Sequence, residues 1–144
     1  MRRFLTFTLL LLTALKGFGI SSYSNGVSNA AYNLANYRVD SLKTLLGSSL
    51  TNKDTPIDTL TINRINKLSA EFIDINPDSA LYYGKMAIDR SIVIKYNKGI
   101  ADGMLQEGKV YTLKGDYTKA QKNLYGAKLL YIKTKDNRSL ASCY

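Results

Sequence analysis

Two runs of helical period meet at Gly115-Asp116, and that junction restricts the fold of this chain more than any other stretch. Before it stands Gly108-Lys109-Val110-Tyr111; after it come Tyr117, Ala120, Leu124 and Ala127. Glycine takes the left-handed conformation without a Cβ clash, so Gly115 is expected to stop the first helix. The Asp116 carboxylate can accept a backbone N–H and start the second. So short a connection makes the two helices antiparallel neighbours. Gly108, Ala120 and Ala127 then fall where the backbones approach, and Tyr111, Tyr117 and Leu124 fill the space around them.

The pattern has copies. Forty residues back, Ala120 falls on Ala80, Ala127 on Ala87 and Asp116 on Asn76. Asn76-Pro77-Asp78 is a strong helix start, with a capping amide, a proline at the first position and an acid in the first turn. The preceding helix aligns with a loop one residue shorter, which puts Leu68, Ser69 and Phe72 at the Leu, Gly and Tyr positions. Forty residues forward, Lys98-Gly99-Ile100-Ala101 falls on Arg138-Ser139-Leu140-Ala141, and Met104 on Tyr144.

Gly-x2-Tyr, then Gly-Asp-Tyr-x2-Ala and a later Ala, resembles the tetratricopeptide repeat (TPR). The resemblance implies an all-α fold, a right-handed α-solenoid of antiparallel helix pairs with a period of about 40 residues and an incomplete third repeat. Its motif positions are Ala80, Ala87, Gly108, Tyr111, Gly115, Tyr117, Ala120 and Ala127. It also implies a protein- or peptide-binding scaffold. In TPR arrays the first helix of each repeat lines the concave groove. Carried onto this chain, that gives Asn63, Asn66, Lys67 and Ala70, then Asp102, Leu105, Gln106 and Lys109. Glu107 departs from the family, where an apolar residue is usual before the glycine. Arrays of this type need about three repeats and a polar cap, so a chain stopping early in a third repeat is expected to be a fragment of a longer protein.

In chain order, residues 1–22 read as a secretory signal peptide. Arg2 and Arg3 precede an apolar core at 4–15, and small residues follow. That core is shorter than the roughly 20 residues of a spanning helix. The expected location is exported, on the periplasmic or extracytoplasmic side. Residues 23–56 read as a linker with one short helix near 39–50, from leucines at 42, 45 and 46. Asp54 or Thr55, with Pro56, is expected to start the next helix. Repeat one covers 57–97, with helices over 57–74 and 77–95. Repeat two covers 98–136, with helices over 98–114 and 117–133. Residues 137–144 begin the third. Leu60, Ile65, Leu68 and Phe72 are expected on one buried face, with Ile92 and Leu113 among the apolar residues of later helices. The turns at Tyr96-Asn97 and Lys135-Asp136-Asn137 are expected to use asparagine's tolerance of left-handed backbone.

Several function classes are excluded by content. The 144 residues include no histidine and no tryptophan. Without histidine the commonest general base and metal ligand is missing. There is no phosphate-cradling glycine loop and no Cys-x-x-Cys, and the acidic residues suit caps and surfaces. No catalytic, cofactor-binding or metal site is expected. Cys143, the single cysteine, reads as a buried structural thiol. The net charge is +9, and loss of Arg2, Arg3 and Lys16 with a signal peptide would leave +6. The remaining lysines interleave with acids along the sequence and read as a solvated helical surface rather than a nucleic-acid site. The eleven tyrosines read as core or rim residues with phenol oxygens reaching water. A membrane is expected to be met only through the signal peptide or a downstream span.

The order of segments, with Val39-Asp40-Ser41-Leu42 and then Asn76-Pro77-Asp78-Ser79 leading into the repeats, is similar to the exported N-terminal region of bacterial TPR-bearing sensor histidine kinases and regulators. That implies the sensory or interaction part of a signalling protein, with any kinase chemistry beyond Tyr144.

Overall fold

The structure, a computed structural model, describes residues 20–47 and 57–144. Among these it is all-helical: α1 Ile20–Leu46, α2 Thr59–Phe72, α3 Pro77–Val93, α4 Asn97–Leu113, α5 Tyr117–Thr134 and α6 Asn137–Leu140, followed by a 3-10 turn at Ala141–Cys143. The chain divides into two compact units, Met1–Tyr37 and Arg38–Tyr144. The signal-peptide reading falls almost wholly on residues 1–19, outside the described ones.

Side-chain caps explain where most of these helices begin. Asp58 Oδ1 accepts the Thr61 N–H at 2.6 Å, Asn76 Oδ1 that of Ser79 at 3.0 Å, Asp116 Oδ1 that of Lys119 at 3.2 Å and Asp136 Oδ1 that of Ser139 at 3.0 Å. Each satisfies one of the unpaired amides of a first turn. Among the helices whose caps are described, α4 starts without a side-chain cap, after Tyr96. Asp58, rather than Asp54 or Thr55, caps α2; residues 48–56 lie outside the described ones.

Three helices end alike. The N–H groups of Tyr96, Asp116 and Asp136 reach back to the carbonyls of Ser91, Tyr111 and Tyr131, while those of Lys95, Gly115 and Lys135 reach Ile92, Thr112 and Ile132. This paired closure requires one left-handed residue. Gly115 supplies it at φ 74°, but Lys95 and Lys135 supply it at 56° and 57°. The asparagines expected in this role are instead the first residues of α4 and α6. A lysine there carries the Cβ strain that glycine avoids.

From α2 onward consecutive helices pack on one another: α2 on α3, α3 on α4, α4 on α5, and α6 on α5. Helix α2 also meets α4. One core joins Val39, Leu42 and Leu46 of α1 to Ile65, Leu68, Phe72, Ala80, Ala87 and Val110. The second is smaller, with Ala101, Leu105, Ala127 and Tyr131. Helices α3 and α4 cross at backbone distance: a Cβ on Gly103 would stand 2.6 Å from Ile88 Cγ1 and 3.0 Å from the Gly84 carbonyl. A Cβ on Gly108 would stand 2.7 Å from Leu124 Cγ.

Several expectations change here. The stretch read as a linker is helical from Ile20 and runs into the short helix expected near 39–50. Among its described side chains, Tyr32, Leu34 and Tyr37 are exposed. On α2, Ile62 is buried while Leu60 is exposed, because the helix starts at Thr59 and its buried face follows Ile62, Ile65, Ser69 and Phe72. Ile92, Leu113 and Tyr117 are exposed as well. Leu124 fills the space over Gly108 that Tyr117 was expected to share. Cys143 is half-buried in the 3-10 turn rather than within a helix.

Candidate functional site

A cleft of about 480 Å³ opens between α2 and α4. Ala70, Ile73 and Asp74 form one wall; Gln106, Lys109, Thr112 and Leu113 form the other. Helix period explains the second wall, since positions three and four apart share a face. The Thr112 hydroxyl donates to the Gly108 carbonyl of its own helix at 3.0 Å. Lys109 is exposed. Gln106 Oε1 is buried and, like Asn66 Oδ1, has no hydrogen-bond partner among the described residues. An unmet buried acceptor costs about 1–3 kcal/mol, so this amide has an unused bond to offer. The cleft thus combines apolar Ala70, Ile73 and Leu113 with one ammonium, one carboxylate and one primary amide.

Of the positions carried over from the resemblance, Ala70, Gln106 and Lys109 line this cleft. Lys67 is exposed on α2. The other four have different surroundings. Asn66 is buried, and its Nδ2 donates to the Gly99 carbonyl at 3.0 Å, tying α2 to the first turn of α4. Leu105 belongs to the second core. Asn63 Oδ1 accepts from the Tyr96 hydroxyl at 3.0 Å.

Asp102 belongs to a polar cluster that the sequence reading did not contain. Its Oδ1 accepts from the Tyr131 hydroxyl at 2.7 Å and from Lys98 Nζ at 3.4 Å. Lys98 also donates to Asp136 Oδ2 at 2.6 Å and to Ser139 Oγ at 3.2 Å. The cluster pins the start of α6 to α4 and α5. Tyr131 is fully buried, and burial together with the Asp102 carboxylate pushes its phenol well above the usual range. Its oxygen therefore does not reach water, unlike the expectation for the tyrosines. Burial opposes the charge on Lys98, but the Asp136 and Asp102 carboxylates outweigh it and the net shift is upward. The Lys98 ammonium and the Ser139 backbone and hydroxyl hold Asp136 down, from 3.8 to about 2. The only advance signal was the forty-residue match of Lys98 with Arg138, which marks a helix start but not its ion pairs.

Glu107, the departure from the TPR pattern, is half-buried against Gly84. Burial raises its carboxyl above the usual glutamate range, with Lys85 opposing and Asp89 adding to the shift. Among the described residues no group of histidine, cysteine or carboxylate side chains has the arrangement of a metal site. No described helix is long and apolar enough to cross a membrane. No family model, curated protein or solved structure matches this chain.

Proposed function

We propose that the chain is a non-catalytic TPR-type scaffold that holds an extended peptide in the α2–α4 cleft. The observation that carries this is the unpaired Gln106 acceptor beside the exposed Lys109 ammonium, on a cleft wall made by the first helices of two successive hairpins. Rotation about the last side-chain torsion of Gln106 turns its amide toward a peptide N–H or C=O, and Lys109 suits a carboxylate. The right-handed solenoid with a forty-residue period belongs to the same proposal. Its support is the spacing of helix starts, Pro77 with Tyr117 and Asn97 with Asn137, and of the left-handed closures at Lys95 and Lys135. The cluster of Lys98, Asp102 and Asp136 seats α6 against α4 and α5, as the array requires of its next helix.

The full chain, presented with a random peptide library, is expected to select ligands that contact this wall. Gln106→Ala and Lys109→Glu should each weaken a selected peptide by about tenfold or more while helicity stays unchanged. Selected peptides indifferent to both substitutions would sink the groove reading. The order of segments supports placing this scaffold outside the cytoplasm, as the sensory or interaction part of a longer signalling protein. Reading the gene beyond codon 144 tests that extension: further forty-residue repeats, a membrane span and a kinase or regulator domain are expected, and a frame without them ends the signalling reading.

A further inference from the structure

Helix α5 carries a surface that the peptide cleft does not use. Between Tyr117 and Thr134 it holds Lys119, Lys122, Lys128 and Lys133 and no acidic residue. Tyr125, Leu129 and Ile132 stand at helical spacing and are 61%, 49% and 52% exposed. They form one apolar strip facing away from the Ala120–Ala127–Tyr131 side that packs inward. Lys122 and Lys133 border the strip on one side and Lys128 on the other, its ammonium 4.4 Å above the Tyr144 ring. Lys119 is taken up by Asp116 at 2.7 Å, whereas Lys122 and Lys133 have no ion pair among the described residues. At the corresponding places of α3, Lys85 and Asp89 stand where Tyr125 and Leu129 do. The third place holds Ile92, also exposed, so α3 has one apolar residue where α5 has a strip of three. Lysines that interleave with acids along the sequence are gathered by the helix around an exposed apolar ridge.

We infer that this face of α5 docks on an anionic lipid surface, the lysines meeting phosphate headgroups and the Tyr125–Leu129–Ile132 strip entering the boundary of the acyl region. Three observations select a bilayer over a protein. The surface is a ridge on one helix, which a plane of headgroups accepts along its whole length. It presents three apolar side chains and their flanking lysines, against roughly 20–30 residues a side in a stable protein interface. Tyrosine with lysine beside it is the amphipathic pairing that suits a headgroup layer, since each keeps its polar end in water while its apolar body is covered. Docked in this way, the strip reaches the depth of an interfacial apolar face, about 5–10 Å.

The protein has no tryptophan, so Tyr125→Trp makes α5 its own reporter. This separates α5 from the apolar 4–15 segment, which could bind vesicles independently. The full chain with Tyr125→Trp is mixed with phosphatidylglycerol vesicles and with phosphatidylcholine vesicles. A second chain carries Lys67→Trp instead, on the exposed side of α2. Blue-shifted emission quenched by brominated lipid is expected from position 125 with phosphatidylglycerol only, and not from position 67. Adding Lys122→Ala or Lys133→Ala should weaken binding by about fivefold each, and salt near 1 M should reverse it. Leu129→Trp replaces the first reporter if circular dichroism shows Tyr125→Trp unfolded. The inference is overturned if position 125 gives the same response with both lipids, if position 67 responds equally, or if no blue shift occurs. It is also overturned if the reporter ignores vesicles and responds to polyglutamate, which would assign the face to an acidic protein. The peptide cleft plays no part in this readout, so the two proposals fail separately.

Discussion

The hairpin of α2 and α3 and the hairpin of α4 and α5 have different interiors. The first is filled by branched and aromatic side chains, Ile62, Ile65, Leu68 and Phe72, with Val39, Leu42 and Leu46 of α1 laid over it. Phe72 stacks on Tyr83 with ring centroids 5.5 Å apart. Its buried hydroxyls are answered locally, Ser69 by the Ala80 carbonyl at 2.7 Å and Ser91 by that of Ala87 at 2.6 Å. The second buries many small residues, Ala101, Gly108, Ala120 and Ala127, beside Leu105 and Tyr131, the latter bound to a charged cluster. Tyr117, Tyr125, Leu129 and Ile132 stay outside. Close backbone approach and ion pairs do in the second hairpin what side-chain volume does in the first. The first should therefore fail by cavities, and the second by crowding and loss of charge.

The largest break in the comparison is expected at Leu68, which is fully buried in the first interior. Leu68→Ala should cost about 2–5 kcal/mol through lost burial and a cavity, measured by urea unfolding followed by circular dichroism. In the second hairpin the opposite change does the damage. Ala127 is fully buried, and Ala127→Leu should cost about 1–3 kcal/mol by overpacking; an unchanged melting temperature would show that α4 and α5 do not meet there.

Glu107 sharpens the contrast because it is a charge placed where the two hairpins meet. Its raised carboxyl value means that the folded chain holds a proton that the unfolded chain has released, just above the ordinary glutamate range. Stability should therefore fall as pH rises through that window. Glu107→Leu should abolish this slope and raise stability, by less than about 1 kcal/mol because the carboxylate is only half-buried. Melting curves from pH 4 to 8 test both points. Of similar size is the relief of strain at the left-handed ends. Lys95→Gly and Lys135→Gly should each stabilise by up to about 1 kcal/mol, the lost Cβ clash exceeding the added freedom of the unfolded chain. The smallest effect concerns acid. Asp136 has a folded value of about 2 against 3.8 unfolded, so its contribution is complete above pH 4 and is lost as pH falls toward 2. Asp136→Asn should flatten that acid limb, and a limb of unchanged shape would detach Asp136 from the stability of α6.

How much of this was legible depends on the range of the cause. Gly115, Asp116, Asn76 and Pro77 announce helix ends because a left-handed residue, an oxygen cap and a fixed φ act within a few residues of themselves. The spacing of Ala80, Ala87, Ala120 and Ala127 announces buried faces for the same reason, since helical period is local. Lys95 and Lys135 were missed because lysine has no preference for left-handed backbone; their closures are imposed by the chain having to return. Asn66 and Asp102 read alike in sequence, as polar residues on first helices, yet one binds a backbone carbonyl inside the core and the other a buried phenol and an ammonium.

Local chemistry, then, determined from the sequence alone that this chain is helical, where most of its helices turn, and which small residues lie between them. Tertiary structure alone decided which polar side chains are spent on holding helices together and which stay exposed. The physical reason is that a hydrogen bond or ion pair depends on the position of its partner. Those partners, Gly99 for Asn66, Tyr131 for Asp102 and Asp136 for Lys98, are about thirty to forty residues away in the chain and come within reach only when neighbouring helices pack.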